Sequence, residues 1–388
     1  MIWLVILVSA LLNAVPTMAQ ITVHFRIKAL PLYHPAGADI YLAGSFNGWN
    51  PQDESYKFFH AADSSYVLTI TVESGKTYPY KITRGSWDKV ECQVNGREAP
   101  NRIWQPGSND TVELVVEEWA DRFPAKPKQK TASRNVSIVD TAFLIPQLKR
   151  TRRIWIYLPD NYFSCNQRFP VIYMQDGQNL FDDAAAFSGE WGVDDFLDSL
   201  KSPMKQCIVV GIDNGGIRRM NEYCPYEFNL DGIATGHPHN KGEGKEYVRF
   251  IVRSLKPYID KNYRTLKDKT NTAIAGSSMG GLISLYALLK YPRVFGGAGV
   301  FSPSFWIAPK IYHEIKKHGP RVKSRIYFYA GKQEGEMMPV NVLRAYEVMS
   351  DVSGSTMQVT IRDDGAHDEA SWRKEFPFFY EWLWQPGN

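Results

Sequence analysis

The pentapeptide Gly276-Ser277-Ser278-Met279-Gly280 stands between an apolar run, TNTAIA, and a second apolar run, LISLYALLKYP, with helical spacing. A Gly-x-Ser-x-Gly alone is weak evidence, because motifs of this length recur by chance; its flanks carry the inference here. A buried strand running into a helix through a glycine-rich reversal is the setting of a nucleophile elbow. The sharp turn forces Ser278 into a strained backbone conformation that only small neighbours tolerate, and Gly276 and Gly280 supply that room. Gly281 lets the following helix pack close to the strand, with its N-terminal amides aimed at a developing negative charge. The competing reading is a glycine-rich turn carrying a solvated serine.

The 388 residues exceed one ordinary domain, and 44% hydrophobic content fills a large core. A net charge of +4, not gathered into one long basic run, points away from nucleic acid as a partner. Residues 1–19 begin with IWLVILVSALLNAV, the length of a secretory hydrophobic region and short for a membrane span, followed by small residues before Gln20. The charged n-region of such signals is missing. The expectation is a cleaved signal peptide over residues 1–19 and an exported mature chain without a membrane span. Four cysteines match no zinc or redox spacing, so neither metal nor cofactor is expected. Cys207 reads as a buried small hydrophobe, whereas Cys165 and Cys224 lie in loop-like sequence where a disulfide is open.

Residues 20–120 alternate in period two, as in ITVHFRIKAL and YVLTITV, with turns at Asn47-Gly48 and Ser74-Gly75. That pattern predicts a small antiparallel β-sandwich of the immunoglobulin-like kind. Residues 121–133, polar, proline-bearing and lysine-rich around Lys126, read as a linker. From residue 134 to 388 short continuous apolar runs alternate with helical stretches: RIWIYLP, PVIYM, CIVVGI, NTAIAG, GGAGVF, RIYFYAG and MQVTIR. Such runs imply strands buried on both faces, and the alternation implies an α/β, doubly wound, mostly parallel sheet with its site at the carboxyl ends of the strands.

A serine needs a base to ionise at neutral pH. Of eight histidines, His367 follows the last strand-like run in the loop DDGAHDEASW, late in the chain where an α/β hydrolase places it. His313 and His318 lie in a charged helical stretch. His237 and His239 form a His-Pro-His in a polar loop that reads as solvated, with no third metal ligand near. The acid should follow RIYFYAG; Glu334 is preferred, with Glu336, Asp363 and Asp364 as alternatives. Two amides should stabilise an oxyanion: that of Met279, and one from the loop after PVIYM, where Gln178 is favoured and Gly177 is the near alternative.

With these residues in hand, Arg153 to Trp384 resembles the putative-esterase family of α/β hydrolases, which includes esterase D, enterobactin-type siderophore esterases and family 1 carbohydrate esterases. The matching segments are YMQDGQNLFD, GIDNGGIRRMNEYCPY, IAGSSMGGLISLYALLKYPRVFGGAGVFSPSFW and GAHDEASW. The resemblance implies Ser278 as nucleophile, His367 as base, Glu334 as acid, and Trp306 near the acyl pocket. The N-terminal module is similar to the glycogen- and starch-binding domains attached to amylolytic enzymes, through GSFNGWN and YKITRGSW. This second resemblance implies sugar-stacking roles for Trp49 and Trp87 and a sugar contact for Lys81; the competing reading puts one or both tryptophans in the sandwich core. The expected function is therefore an exported serine esterase acting on an acylated polysaccharide. A siderophore or other small-molecule esterase, an acyltransferase and a glycan-binding protein with an inert hydrolase domain are the rivals.

Overall fold

The computed structural model describes residues 20–97, 99–105, 111–123, 128–200, 206–228 and 241–385. The expected signal peptide, Lys126, His237 and His239 lie outside them. The described residues fall into two compact units, 20–123 and 128–385.

The first unit contains strands β1 (Gln20–Ala29), β2 (Tyr41–Gly44), β3 (Phe59–His60), β4 (Tyr66–Glu73), β5 (Tyr78–Thr83), β6 (Glu91–Cys92), β7 (Arg102–Trp104), β8 (Thr111–Val115) and β9 (Glu118–Trp119). A sheet ordered β3-β4-β1-β8 and another ordered β2-β5-β7 enclose one core, with β6 and β9 paired separately. Period-two alternation sends Val23, Phe25 and Ile27 of β1 inward, against Leu68, Ile70 and Val72 of β4. One feature differs from an antiparallel sandwich: β1 pairs with β8 in parallel. These two strands are far apart in sequence, so no hairpin dictates their direction.

The second unit is built on an eight-stranded sheet of β10 (Val136–Ile145), β11 (Arg150–Tyr157), β12 (Val171–Gln175), β13 (Ile208–Ile212), β14 (Thr272–Ser277), β15 (Gly297–Phe301), β16 (Arg325–Gly331) and β17 (Thr356–Arg362). Their order is β10-β11-β13-β12-β14-β15-β16-β17. From β13 to β17 every pairing is parallel, and β10 and β11 add an antiparallel margin. The helices are α1 (Val193–Ser199), α2 (Arg219–Tyr223), α3 (Gly244–Phe250), α4 (Lys256–Asn262), α5 (Met279–Lys290), α6 (Lys310–His318), α7 (Met337–Val352) and α8 (Glu369–Leu383); a π-turn joins α3 to α4. The five residues of β12, β13 and β15 are all buried, as continuous apolar runs require.

Helix α5 is buried from Met279 to Leu289 and packs on β14 and β15. A Cβ at Gly281 would lie 2.8 Å from the Phe301 carbonyl oxygen, so only glycine allows this approach. On the other face, Trp372, Phe376 and Phe379 of α8 join Trp191 and Phe301 in one core. All four cysteines are free thiols. Cys207 is buried as expected, its thiol pushed up to about 12 by burial. Cys224, read as a loop residue open to pairing, is also buried, its thiol pushed up to about 11 chiefly by burial. Among the described residues no helix is long and apolar enough to cross a membrane.

Candidate active site

Three neighbouring strands end in the same way. Asp176 follows β12, Ser278 follows β14 and Ser302 follows β15, with φ of 55°, 58° and 43°. None is glycine, and each such residue costs on the order of 1–3 kcal/mol, so the surrounding structure must hold it. At Ser278 the hold is visible. Its N–H donates to the Phe301 carbonyl at 2.9 Å, and its own carbonyl accepts from Leu282 and Ser304 at 3.1 Å each. A Cβ on Gly276 would meet Gln175 Cγ at 2.8 Å, which leaves glycine as the residue that fits there.

Ser278 Oγ shares a hydrogen bond with Ser304 Oγ at 3.1 Å. His367 Nδ1 lies 2.6 Å from Glu334 Oε2. The other carboxylate oxygen, Oε1, accepts from Ser302 Oγ and from the Gly331 N–H, both at 2.7 Å. Ser302 Oγ in turn accepts from the Trp372 indole N–H at 3.0 Å, and the Trp372 ring meets the imidazole edge to face at 5.2 Å. The Glu334 side chain is 1% exposed while that of His367 is 40% exposed, so a buried, fully bonded carboxylate orients a ring that reaches solvent. The alternatives lie elsewhere. Asp363 is exposed and paired with Lys332 at 2.7 Å, Asp364 is exposed 3.9 Å from Lys374, and Glu336 is an exposed residue heading α7.

Ser278 and His367 line one cavity of about 680 Å³, together with Gln178, Asn179, Phe187, Asn214, Glu369 and Trp372. Gln178 is therefore in the cavity wall. Gly177 is buried, and a Cβ there would fall 2.7 Å from the backbone of Gly211 and Ile212, so glycine is needed for β12's exit to cross β13. Met279 is buried at the first turn of α5. Among the described residues neither the Met279 nor the Gln178 N–H is bonded to a protein acceptor. Trp306 is 50% exposed and is not among the residues lining the cavity; Ser304, two residues earlier, is the one brought to Ser278.

Much of the remaining cavity lining is polar. Asp176 receives Arg219 on both oxygens, at 2.7 and 2.9 Å, and the Asn214 side-chain amide at 2.8 Å. Asn179 donates to Glu369 Oε1 at 2.9 Å. Burial, followed by the nearby Asp176 charge, raises the Glu369 carboxyl above the usual carboxylate range. Sequence reading singled out none of Ser302, Ser304, Asp176, Arg219, Asn179 or Glu369. All six lie in quoted segments, yet only the fold shows that they meet.

In the N-terminal unit Trp49 and Trp87 stand side by side with ring centroids 6.2 Å apart, and neither belongs to the sandwich core; Trp87 is 44% exposed. Trp104 and Trp119 fill that core instead. Lys81 is buried on β5.

Comparison with known proteins places this geometry in context. A stretch of 102 residues is 40% identical to an alpha-amylase of Niallia circulans, covering 26% of this chain and 8% of the amylase. Over 282 residues the chain is 27% identical to an endo-1,4-beta-xylanase/feruloyl esterase of Xylanibacter ruminicola, covering 69% of this chain and 35% of that one. Among solved structures, the enterobactin esterase of Shigella flexneri superposes with a TM-score of 0.50 at 18% identity, over 95% of this chain and 93% of the other. The putative esterase model matches residues 145–380, more than half of the chain and all of the sheet from β11 to β17. By that match this chain belongs to the putative esterase family, as a carboxylic ester hydrolase built on an α/β-hydrolase sheet.

Proposed function

We propose that the protein is an exported serine esterase that removes acyl groups from a polysaccharide. The observation that carries the reading is that His367, bonded to the buried Glu334, lines one cavity with Ser278, which is held at a strained strand end. Ser278 Oγ attacks the ester carbonyl as its proton passes to His367 Nε2, while Glu334 fixes the Nδ1–H tautomer and stabilises the imidazolium. The carbonyl oxygen gains the negative charge between the Met279 and Gln178 amides. Collapse breaks the bond to the alcohol oxygen, which leaves with the proton from His367. Water then attacks the acyl-enzyme, gives its proton to His367, and the acid departs as Ser278 recovers its hydrogen.

The glycan half of the reading rests on the pair of an exposed Trp87 and a half-buried Trp49, whose indole faces suit pyranose C–H surfaces, and on likeness to proteins named amylase and xylanase/feruloyl esterase. A sugar-holding module raises the local concentration of esters for the site even at weak affinity. Export rests on the apolar stretch of residues 1–19. A second reading, a siderophore esterase, is favoured by the fold match to an enterobactin esterase over 95% of the chain.

Acetate and ferulate release from acetylated and feruloylated xylan, beside hydrolysis of a catecholate siderophore, separates the two. The polysaccharide reading expects Ser278-dependent release from xylan that falls when Trp87 becomes alanine. Siderophore cleavage with inert xylan would replace it by the second reading.

A further inference from the structure

The cavity that Ser278 and His367 line also contains a small assembly that the hydrolytic steps do not use. Asn179 is 8% exposed and bonded in both directions: its side-chain N–H donates to Glu369 Oε1 at 2.9 Å, and its side-chain oxygen accepts the Phe187 N–H at 3.1 Å. Its own backbone carbonyl accepts from the Trp191 N–H at 2.8 Å, which anchors it to the core. One buried amide thus ties the backbone of Phe187 to the Glu369 carboxylate, and both residues line the cavity. Phe187 is 86% exposed, an unusual place for a phenyl ring with no stacking partner among the described residues. Asn179 is the side chain that donates to the Glu369 carboxylate, and it does so on Oε1. The other carboxylate of the cavity, Asp176, is paired with Arg219 on both oxygens, whereas Glu369 has no ion pair at contact distance among the described residues.

An exposed ring and a carboxylate bonded by a side chain on one oxygen, both lining one cavity, match a particular ligand chemistry. Pyranose C–H faces lie against aromatic rings, and ring hydroxyls donate to carboxylates in charge-assisted bonds. An anionic ligand meets the opposite: repulsion from Glu369 in a partly dehydrated cavity. An acetyl group has no ring or hydroxyl to offer, so for an acetyl ester this chemistry belongs to the alcohol half.

We propose that Phe187, Asn179 and Glu369 form the subsite for the sugar half of the ester, taking a neutral pyranose whose C–H face rests on Phe187 and whose hydroxyl donates to Glu369 Oε2. This deepens the polysaccharide reading and rests on it for the reaction, though the subsite itself is a binding claim with its own readout.

Two measurements on the full chain test it. The first compares kcat/KM on a monoacetylated methyl xyloside with kcat/KM on ethyl acetate, whose alcohol offers no ring. Glu369→Gln and Phe187→Ala should each lower that ratio about tenfold, through KM more than kcat, since one charge-assisted bond or one stacking contact is lost. A ratio within twofold of the unaltered protein for both variants would overturn the subsite. The second uses Ser278→Ala, which cannot turn over: amide hydrogen exchange across residues 179–188 should slow in the presence of xylotriose, and Glu369→Gln should abolish that protection. Absence of protection would sink the subsite even where ester cleavage is intact. Protection without any Ser278-dependent cleavage would keep the subsite and remove the esterase reading.

Discussion

Glu334 Oε2 stands 2.6 Å from His367 Nδ1, and its other oxygen is occupied by Ser302 and the Gly331 amide. This carboxylate has no spare lone pair on the side of solvent, so its work is to hold the imidazole. Glu334→Gln keeps the shape but permits the wrong imidazole tautomer. Its kcat is expected to fall on the order of 10³- to 10⁴-fold, as when the acid of a triad becomes its amide. Asp363→Asn, altering an exposed carboxylate paired to Lys332, should change kcat less than twofold. Steady-state kinetics on 4-nitrophenyl acetate checks both; similar losses in the two variants would transfer the role away from Glu334.

Burial gives Asp194 a pH signature. This side chain, at the start of α1, accepts the Ser133 N–H at 2.8 Å through Oδ2, while Oδ1 is buried without a partner among the described residues. Burial raises its carboxyl from 3.8 to about 6. The folded protein therefore binds this proton more tightly than the unfolded chain. Stability from this group falls as pH rises from about 4 to 6 and is constant above that. Asp194→Asn removes the dependence, so its stability relative to the unaltered protein should rise by up to about 3 kcal/mol between pH 4 and pH 7. Urea denaturation of both proteins at several pH values measures this; a pH-independent difference would contradict it.

The segment GIDNGGIRRMNEYCPY also supplies a structural staple. Glu222 is fully buried and bonds Arg150 at 2.9 Å and Arg152 at 2.7 Å, tying α2 to β11. Glu222→Gln leaves two arginines without their shared charge and should cost about 3 kcal/mol or more, the range for breaking one side of a buried pair. Glu243→Gln, at a partner of Arg150 that is 24% exposed, should cost about 1 kcal/mol. Urea midpoints rank the two variants.

In the N-terminal unit, Trp87→Ala removes an exposed indole from a pair and leaves the sandwich core untouched. Electrophoresis through gels containing dissolved unacylated starch or xylan should show retardation of the unaltered protein and about tenfold weaker retardation of the variant, a loss of about 1.4 kcal/mol from one stacking contact. Equal migration with and without polysaccharide would remove the sugar-binding role.

The sequence made the interior of the sheet legible because β12 to β16 are buried on both faces and correspond to continuous apolar runs; β17, expected to be the same, is an edge strand without a fully buried residue. Strand β10 has no such run. It is an edge strand, mostly exposed, with irregular register against β11, so tertiary pairing rather than patterning creates it. The same contrast holds in the site. Ser278, His367 and Glu334 announce themselves by their positions just beyond strand ends. Ser302 and Ser304 do not, because a serine's role depends on which hydroxyls and carboxylates the fold sets beside it. Trp306 shows the converse: a large aromatic in the right loop, yet half exposed and outside the cavity lining.

In the proposed mechanism Ser278 carries the acyl group. Rapid quenching of the full chain with 4-nitrophenyl acetate, followed by peptide mass spectrometry, tests it most directly. One acetyl adduct is expected, on the peptide containing Ser278, with no adduct and no burst of nitrophenol in Ser278→Ala. An adduct on another residue, or turnover that persists in the alanine variant, would contradict it.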